Sequence, residues 1–366
     1  MNTTQRVRRA GLATVAALVI GGGGVAIGAA AADLSASGTL AAATATQSPA
    51  GPATAPGLTG PGPASYASVV RQVLPSVVLI RTENGLGSGV VLDTKGNIVT
   101  NAHVAGDATR FQVQVAGDTA PRSARLVGTY PPDDLAVIRA DDPSGLQPAK
   151  FGDSGTVQAG DVVLAIGNPL GLSGSVTQGI ISATDRAVTE PATDGSPAAT
   201  LPGAIQTSAP INPGNSGGAL VSASGQVIGI PTLAAGSPQG GGQAQGIGFA
   251  IPSNLARDIA TQIIDTGHVT NSHRAAIGAE VATVLGPDGT AGGVGVVAVT
   301  SGGGAERAGL RAGDVITAVG GAQTTDTTAL SQALAAAEPG DTVTVTVGRD
   351  GQDRSVQVTL GELPGS

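Results

Sequence analysis

The sequence predicts a mainly β chain, a barrel or sandwich domain followed by a smaller domain mixing strands with helix, and three observations carry this. Glycine (58) and proline (23) are frequent, whereas there are only two tyrosines, three phenylalanines and no tryptophan. Tight turns are therefore many, and the cores must be built from Val, Ile, Leu and Ala. Short apolar stretches recur between turn signals through the middle of the chain, the mark of an all-β domain. Finally, 366 residues exceed what one hydrophobic core usually serves, so two folded domains plus non-globular segments are expected.

Charge and cysteine content exclude several classes. A formal net charge of −8 argues against a phosphate-binding surface, so no nucleic-acid partner is expected. There are no cysteines, which removes disulfides, thiol nucleophiles and Cys-based metal sites together. No metal and no cofactor are expected, and covalent catalysis must use another nucleophile.

In chain order, residues 1–32 read as an export segment. Arg6, Arg8 and Arg9 precede an uncharged run from Ala10 to Ala32, whose 23 residues meet the roughly 20 needed to cross a bilayer as a helix. It is read as a retained anchor with its basic end inside and the rest of the chain outside the cytoplasm. The alternative is a signal peptide cleaved at Ala30-Ala31-Ala32, giving a secreted or periplasmic protein. Residues 33–65 are Ala, Thr, Ser, Pro and Gly with almost no large apolar side chain, a disordered linker.

Residues 66–267 form the first folded domain. Its strand-like stretches are Ser76–Ile80, Gly89–Leu92, Ile98–Asn101, Leu135–Ile138, Val162–Ile166 and Val227–Ile230, with Asp93–Asn97 as a hairpin turn. Ser253 is expected to cap a closing helix that carries Leu255, Ile259 and Ile263 on one face and ends at Gly267. Residues 268–274 are a polar junction. Residues 275–362 form the second domain: a strand over Val294–Val299, a helix over Thr328–Ala337, then alternating Val343, Val345, Val347 and Val356, Val358, Leu360 about an Arg349-Asp350-Gly351 turn.

Chemistry concentrates at three places. Gly214-Asn215-Ser216-Gly217-Gly218 lets a tight turn present a serine hydroxyl beside outward-pointing N–H groups able to stabilise an oxyanion. Such a hydroxyl needs a base, and His103 is the only histidine between residues 33 and 251. The base needs an orienting carboxylate, and Asp134 stands directly before the apolar Leu135–Ile138 stretch, with Asp133 as its rival. Each signal is weak alone. The order His103, Asp134, Ser216 is one of three chain orders for this triad and the one that accompanies two β-barrels.

Thr100-Asn101-Ala102-His103, Asp134-Leu135-Ala136-Val137 and Gly214–Leu220 together resemble the HtrA/Deg family of trypsin-like serine proteases, over roughly residues 66–360. The resemblance implies a two-barrel protease domain followed by a small α+β PDZ domain. It makes His103 the general base and acid, Asp134 its orienting carboxylate and Ser216 the nucleophile, with the N–H groups of Gly214 and Ser216 as the oxyanion hole. It puts Pro210 and Ile211, with Gly248, Phe249 and Ala250, around the substrate pocket. Where digestive relatives have Asp before the serine, this chain has the neutral Asn215, so control by loop rearrangement is implied in place of zymogen cleavage. Gly309–Ile316 matches the PDZ stretch of bacterial members, and Ala276-Ile277-Gly278-Ala279 resembles the loop that captures a C-terminal carboxylate. A homotrimer is also implied.

The leading expectation is an extracytoplasmic endopeptidase of misfolded or regulatory proteins, acting in quality control or stress response and recognising C-terminal peptides through its PDZ domain. The rival from another class is a protease-like chaperone or peptide-binding scaffold without significant hydrolysis. An esterase of the Gly-x-Ser-x-Gly type is disfavoured, because Asn215-Ser216-Gly217 lies in a β context.

Overall fold

A computed structural model describes residues 63–364 except 84, 119, 169–173, 191–198, 213, 237–242 and 287–288. The expected anchor and almost all of the expected linker lie outside the described residues. Among the described residues no helix is long and apolar enough to cross a membrane.

Helix α1 (Pro63–Val73) leads into a closed barrel of β1 (Val77–Arg81), β2 (Leu86–Val91), β3 (Asn97–Thr100), β4 (Arg110–Val115), β5 (Arg122–Tyr130) and β6 (Leu135–Ala140), in the order β1-β2-β3-β6-β5-β4. Helix α2 (Ala102–Ala105) follows β3. A second closed barrel contains β7 (Val162–Gly167), β8 (Ser175–Glu190), β9 (Ala199–Thr207), β10 (Ala219–Ser222), β11 (Val227–Gly236) and β12 (Gln243–Pro252), ordered β10-β11-β12-β9-β8-β7. Helix α3 (Ser253–Thr266) packs across the first barrel and the β11–β12 pair.

Strand alternation explains why β6 is almost wholly apolar. On β6, Ala136 and Ile138 point into the first barrel beside Ile80 and Ile98, while Leu135 and Val137 point into the layer between the barrels beside Val90, Ile166 and Ile230. Both faces are buried, so Leu135-Ala136-Val137-Ile138 reads as a continuous apolar run and not as an alternation. Ile259 and Ile263 of α3 close the same inter-barrel layer. Val69 and Val73 of α1 join it too, so the first domain takes cover from a helix whose first three residues fall within the expected linker.

Two local expectations are corrected. Ser253 does not cap α3: the cap position is Pro252, the Ser253 hydroxyl donates to Gly152 O at 2.9 Å, and Ser154 Oγ, from a distant turn, accepts the Asn254 N–H at 3.1 Å. Capping here is tertiary. The second-domain helix runs Thr327–Leu334 and not to Ala337; its cap is Asp326, whose Oδ1 accepts from Ala329 N at 2.8 Å.

The second domain contains β13 (Ala275–Ala276), β14 (Ala279–Leu285), β15 (Ala291–Val299), α4 (Gly304–Arg307), β16 (Val315–Val319), β17 (Ala322–Gln323), α5 (Thr327–Leu334), β18 (Thr342–Arg349), β19 (Gln352–Thr359) and β20 (Gly361–Glu362). The main sheet is ordered β14-β15-β16-β18-β19, which leaves β14 at an edge, and β13 pairs with β20. The β18–β19 hairpin is the expected one: Asp350 and Gly351 turn at φ 54° and 74°, positive at both centres as a tight hairpin requires. Val345, Val347 and Val358 fill its core with Leu330 and Leu334. Residues 268–274 form a largely exposed junction anchored at two buried residues, Val269 and Ser272, and Gln262 Oε1 accepts the N–H groups of Thr270 and Asn271.

Candidate active site

Pairing of β3 with β6 sets Thr100 opposite Ala136, so the segments just beyond their paired ends, 101–103 and 134, are forced together. A short 3-10 turn, Pro131–Asp133, delivers Asp134 with φ 51° and ψ 42°, a left-handed conformation rare outside glycine. The Asp134 carbonyl accepts from Ala102 N (3.0 Å) and Asn101 Nδ2 (3.1 Å). Its carboxylate is 2% exposed and accepts from His103 N (3.0 Å), from His103 Nδ1 (2.8 Å to Oδ2, 3.0 Å to Oδ1) and from Thr232 Oγ1. A carboxylate only accepts, so Nδ1 carries the ring hydrogen and Nε2 of the neutral ring holds the lone pair. That is the tautomer of a base.

Ser216 lies in the turn before β10. The Ser216 hydroxyl donates to Thr232 O at 3.2 Å, and the Thr232 hydroxyl donates to Asp134, so Thr232 ties serine and carboxylate together. His103 and Asp134 are thus joined directly, and Ser216 is joined to them through Thr232. Among the described residues, the turn's hydrogen bonds use the N–H groups of Asn215, Gly217 and Gly218, on Asn212 O, Pro231 O and Asn215 O. Glycine is required here by space as well as by angle. Gly217 has φ 76°, and a Cβ on it would lie 2.2 Å from Ser88 O.

Ser88 was not anticipated. It is fully buried on β2; its hydroxyl donates to Gly214 O at 2.5 Å and accepts from Asn168 N at 2.8 Å, while its N–H donates to Ser216 O at 2.9 Å. Thr232, one threonine within a strand, carried no sequence signal at all.

Among the residues expected to line the pocket, Pro210 is exposed and its carbonyl accepts from Thr177 Oγ1 (2.8 Å) and Asn215 Nδ2 (3.4 Å). Ile211 is buried, and a Cβ on Gly248 would lie 2.5 Å from its Cγ1, so these two come together. Ala250 shares that barrel interior with Ile211, whereas Phe249 turns to the other face, into the inter-barrel layer. In the second domain, Ala276, Ile277 and Ala279 line a cavity of about 170 Å³ with Val281 of β14 and Leu330 and Leu334 of α5. Gly278, at φ 76°, carries the turn between them.

A second carboxylate lies beside the triad. Asp133 is fully buried, and its Oδ1 is 3.1 Å from Arg274 Nη1. Burial outweighs the arginine and holds its carboxyl up at about 6. Burial likewise pushes the neighbouring Tyr130 hydroxyl up to about 12.

The trypsin-like peptidase domain family matches residues 87–230 and the PDZ domain family residues 269–360. The serine protease PepD of Mycobacterium tuberculosis is 39% identical over 319 residues, 82% of this chain and 67% of that one. The chain belongs to the HtrA family of serine proteases. The periplasmic serine endoprotease DegP of Escherichia coli is 39% identical over 280 residues, 75% of this chain and 56% of DegP. A crystal structure of the serine endoprotease from Yersinia pestis superposes with a TM-score of 0.53 at 37% identity, covering 81% of this chain and 98% of that one. The HtrA chain is therefore a serine protease with a PDZ domain, and the order protease then PDZ is that expected from its motifs.

Proposed function

We propose that the chain is an extracytoplasmic endopeptidase that hydrolyses peptide bonds of misfolded or regulatory proteins through an acyl-enzyme on Ser216. The observation that carries this is the His103–Asp134 pair, with Nδ1 set on a buried carboxylate. Ser216 Oγ attacks the scissile carbonyl carbon while its proton turns from Thr232 O to His103 Nε2. The oxyanion that forms accepts from the N–H groups of Gly214 and Ser216. His103 then gives its proton to the amide nitrogen, the C–N bond breaks and the ester remains on Ser216. Water attacks that ester, its proton goes to Nε2, and Ser216 recovers a proton as the acid leaves. Asp134 keeps accepting from Nδ1 and supports the imidazolium.

The PDZ cavity, between edge strand β14 and α5, is proposed to take a peptide's C-terminal carboxylate on the N–H groups of residues 276–279, the peptide pairing with β14. Attachment to a membrane through residues 10–32 and assembly as a homotrimer belong to the same proposal. Fractionation of cells and light scattering of the purified protein test them.

Ser216→Ala tests the whole reading. It deletes one hydroxyl at a half-buried turn, so the fold should survive by circular dichroism while cleavage of an unfolded protein falls by several orders of magnitude. Activity within threefold of the unsubstituted enzyme would remove Ser216 from the nucleophile role.

A further inference from the structure

Asp133, the carboxylate that competed with Asp134 in the sequence, has no part in the proton transfers above, yet it is fully buried one residue from the triad. Only one of its oxygens is paired: Oδ1 meets Arg274 Nη1 at 3.1 Å, and among the described residues Oδ2 has no partner. The same Nη1 donates to Pro132 O at 2.6 Å. Arg274 thus grips both the main chain and the side chain of the Pro131–Asp133 turn.

The main chain of Arg274 belongs to the other domain. It directly precedes β13, and its carbonyl accepts from Leu363 N at 2.7 Å, just beyond β20. Its side chain crosses back to the protease domain and is 12% exposed. The turn it grips ends in Asp134, whose φ of 51° is uncommon for a non-glycine residue and persists only where the surroundings impose it. From the triad side it is imposed by Ala102, Asn101 and His103; from the other side, by the turn that Arg274 holds. The charged or titratable groups acting on Asp133 are Arg274 and His273, with Tyr130 beside it and Glu362 facing Tyr130.

We infer that Arg274 is a positioning residue for the proteolytic reaction, acting through Asp133 and Pro132 O to hold the turn that aims Asp134 at His103. The inference rests on the triad reading above. One contact then sets two things, the seat of the first PDZ strand and the aim of the triad carboxylate, so release of the junction loosens catalysis. A bland alternative exists in which the pair merely joins the domains. It predicts lost stability with unchanged chemistry.

The full chain carries the test, with a short peptide substrate too small to engage both domains. Arg274→Gln should lower kcat at least tenfold with KM within twofold. A carboxylate beside a histidine raises its pKa, so a misaimed Asp134 should move the acid limb of the kcat/KM profile to lower pH. Asp133→Asn should move both readouts in the same direction. The double variant should be no worse than Arg274→Gln, because the two act as one unit. Arg274→Lys, which keeps the charge but not the fork, should recover part of the loss. If Arg274→Gln proves insoluble, Asp133→Asn and Arg274→Lys give the same two readouts. Single variants with kcat within twofold and an unmoved acid limb overturn the inference. Ser216→Ala in parallel separates the outcomes, since its residual activity would overturn the triad reading instead.

Discussion

Ser88 and Thr232 lie in no motif, yet the site is assembled on them. Thr232 gives its hydroxyl to Asp134 and its carbonyl to Ser216, so it holds the carboxylate and keeps the resting serine oriented. Ser88 spans the Gly214 carbonyl and the Asn168 N–H. Deleting its hydroxyl leaves two buried backbone groups without partners, at about 1–3 kcal/mol each. It also frees the turn proposed to aim the oxyanion donors. Loss of one such donor costs about 10²–10³ in kcat, and a displaced turn should cost less. Ser88→Ala should therefore lower kcat roughly 10- to 100-fold with little change in KM, measured by steady-state kinetics on a peptide amide. A kcat within twofold would mean that the oxyanion turn holds its shape without Ser88.

The proposed substrate pocket would be shaped by strands rather than by single residues. The connection from β9 to β10 carries Pro210 and Ile211, and β12 brings Gly248 against Ile211 so closely that no side chain fits between them. Where a basic-specific relative would have a carboxylate at the pocket floor, six residues before the nucleophile, Pro210 stands. A cation buried there without a partner is strongly disfavoured, whereas one methylene more or less changes discrimination by only about 1–3 kcal/mol. Cleavage should follow small and medium aliphatic residues such as Val and Ala, sharply excluding Arg and Lys while ranking aliphatics broadly. Profiling on a peptide library decides it. Dominant cleavage after Arg or Lys would refute this pocket while leaving the triad as it is.

For the whole molecule, the protease and PDZ domains share a buried ion pair, and its acid has a pH signature. The Asp133 carboxyl stands at about 6 in the folded state against 3.8 when solvated. Its proton is bound more tightly folded than unfolded, so its contribution to stability is full below pH 4 and is lost as pH rises through 6. The difference is on the order of 3 kcal/mol. Asp314 has the opposite sign: the Arg349 hydrogen bonds hold its carboxyl below the usual range, so its contribution fades as pH falls. Comparing thermal midpoints of the unsubstituted chain and Asp133→Asn cancels Asp314 and isolates Asp133. The advantage of the unsubstituted chain over the variant should shrink between pH 4 and 6 and then level off. Parallel curves would show that Asp133 titrates normally.

The sequence by itself determined the two-domain order and the β character of the first domain, and it singled out Gly214–Gly218 as the turn proposed to be reactive. These signals are local. Glycines mark turns wherever they occur, a buried strand such as Leu135–Ile138 must be apolar on both faces, and the triad's chain order survives without coordinates. The PDZ hairpin was legible for the same reason, since the Val alternation and Asp350-Gly351 state register and turn together. Only the tertiary structure decided what those residues lean on. The α3 cap is borrowed from Ser154, the oxyanion turn is held by Ser88 from the other barrel, and Thr232 reaches Asp134 across 98 residues of chain. It also distinguished two adjacent aspartates that the sequence cannot tell apart. The left-handed turn at residue 134 directs one carboxylate to His103 and leaves the other facing Arg274. A hydrogen bond between residues distant in sequence imposes no spacing and no periodicity on the chain, so nothing local records it.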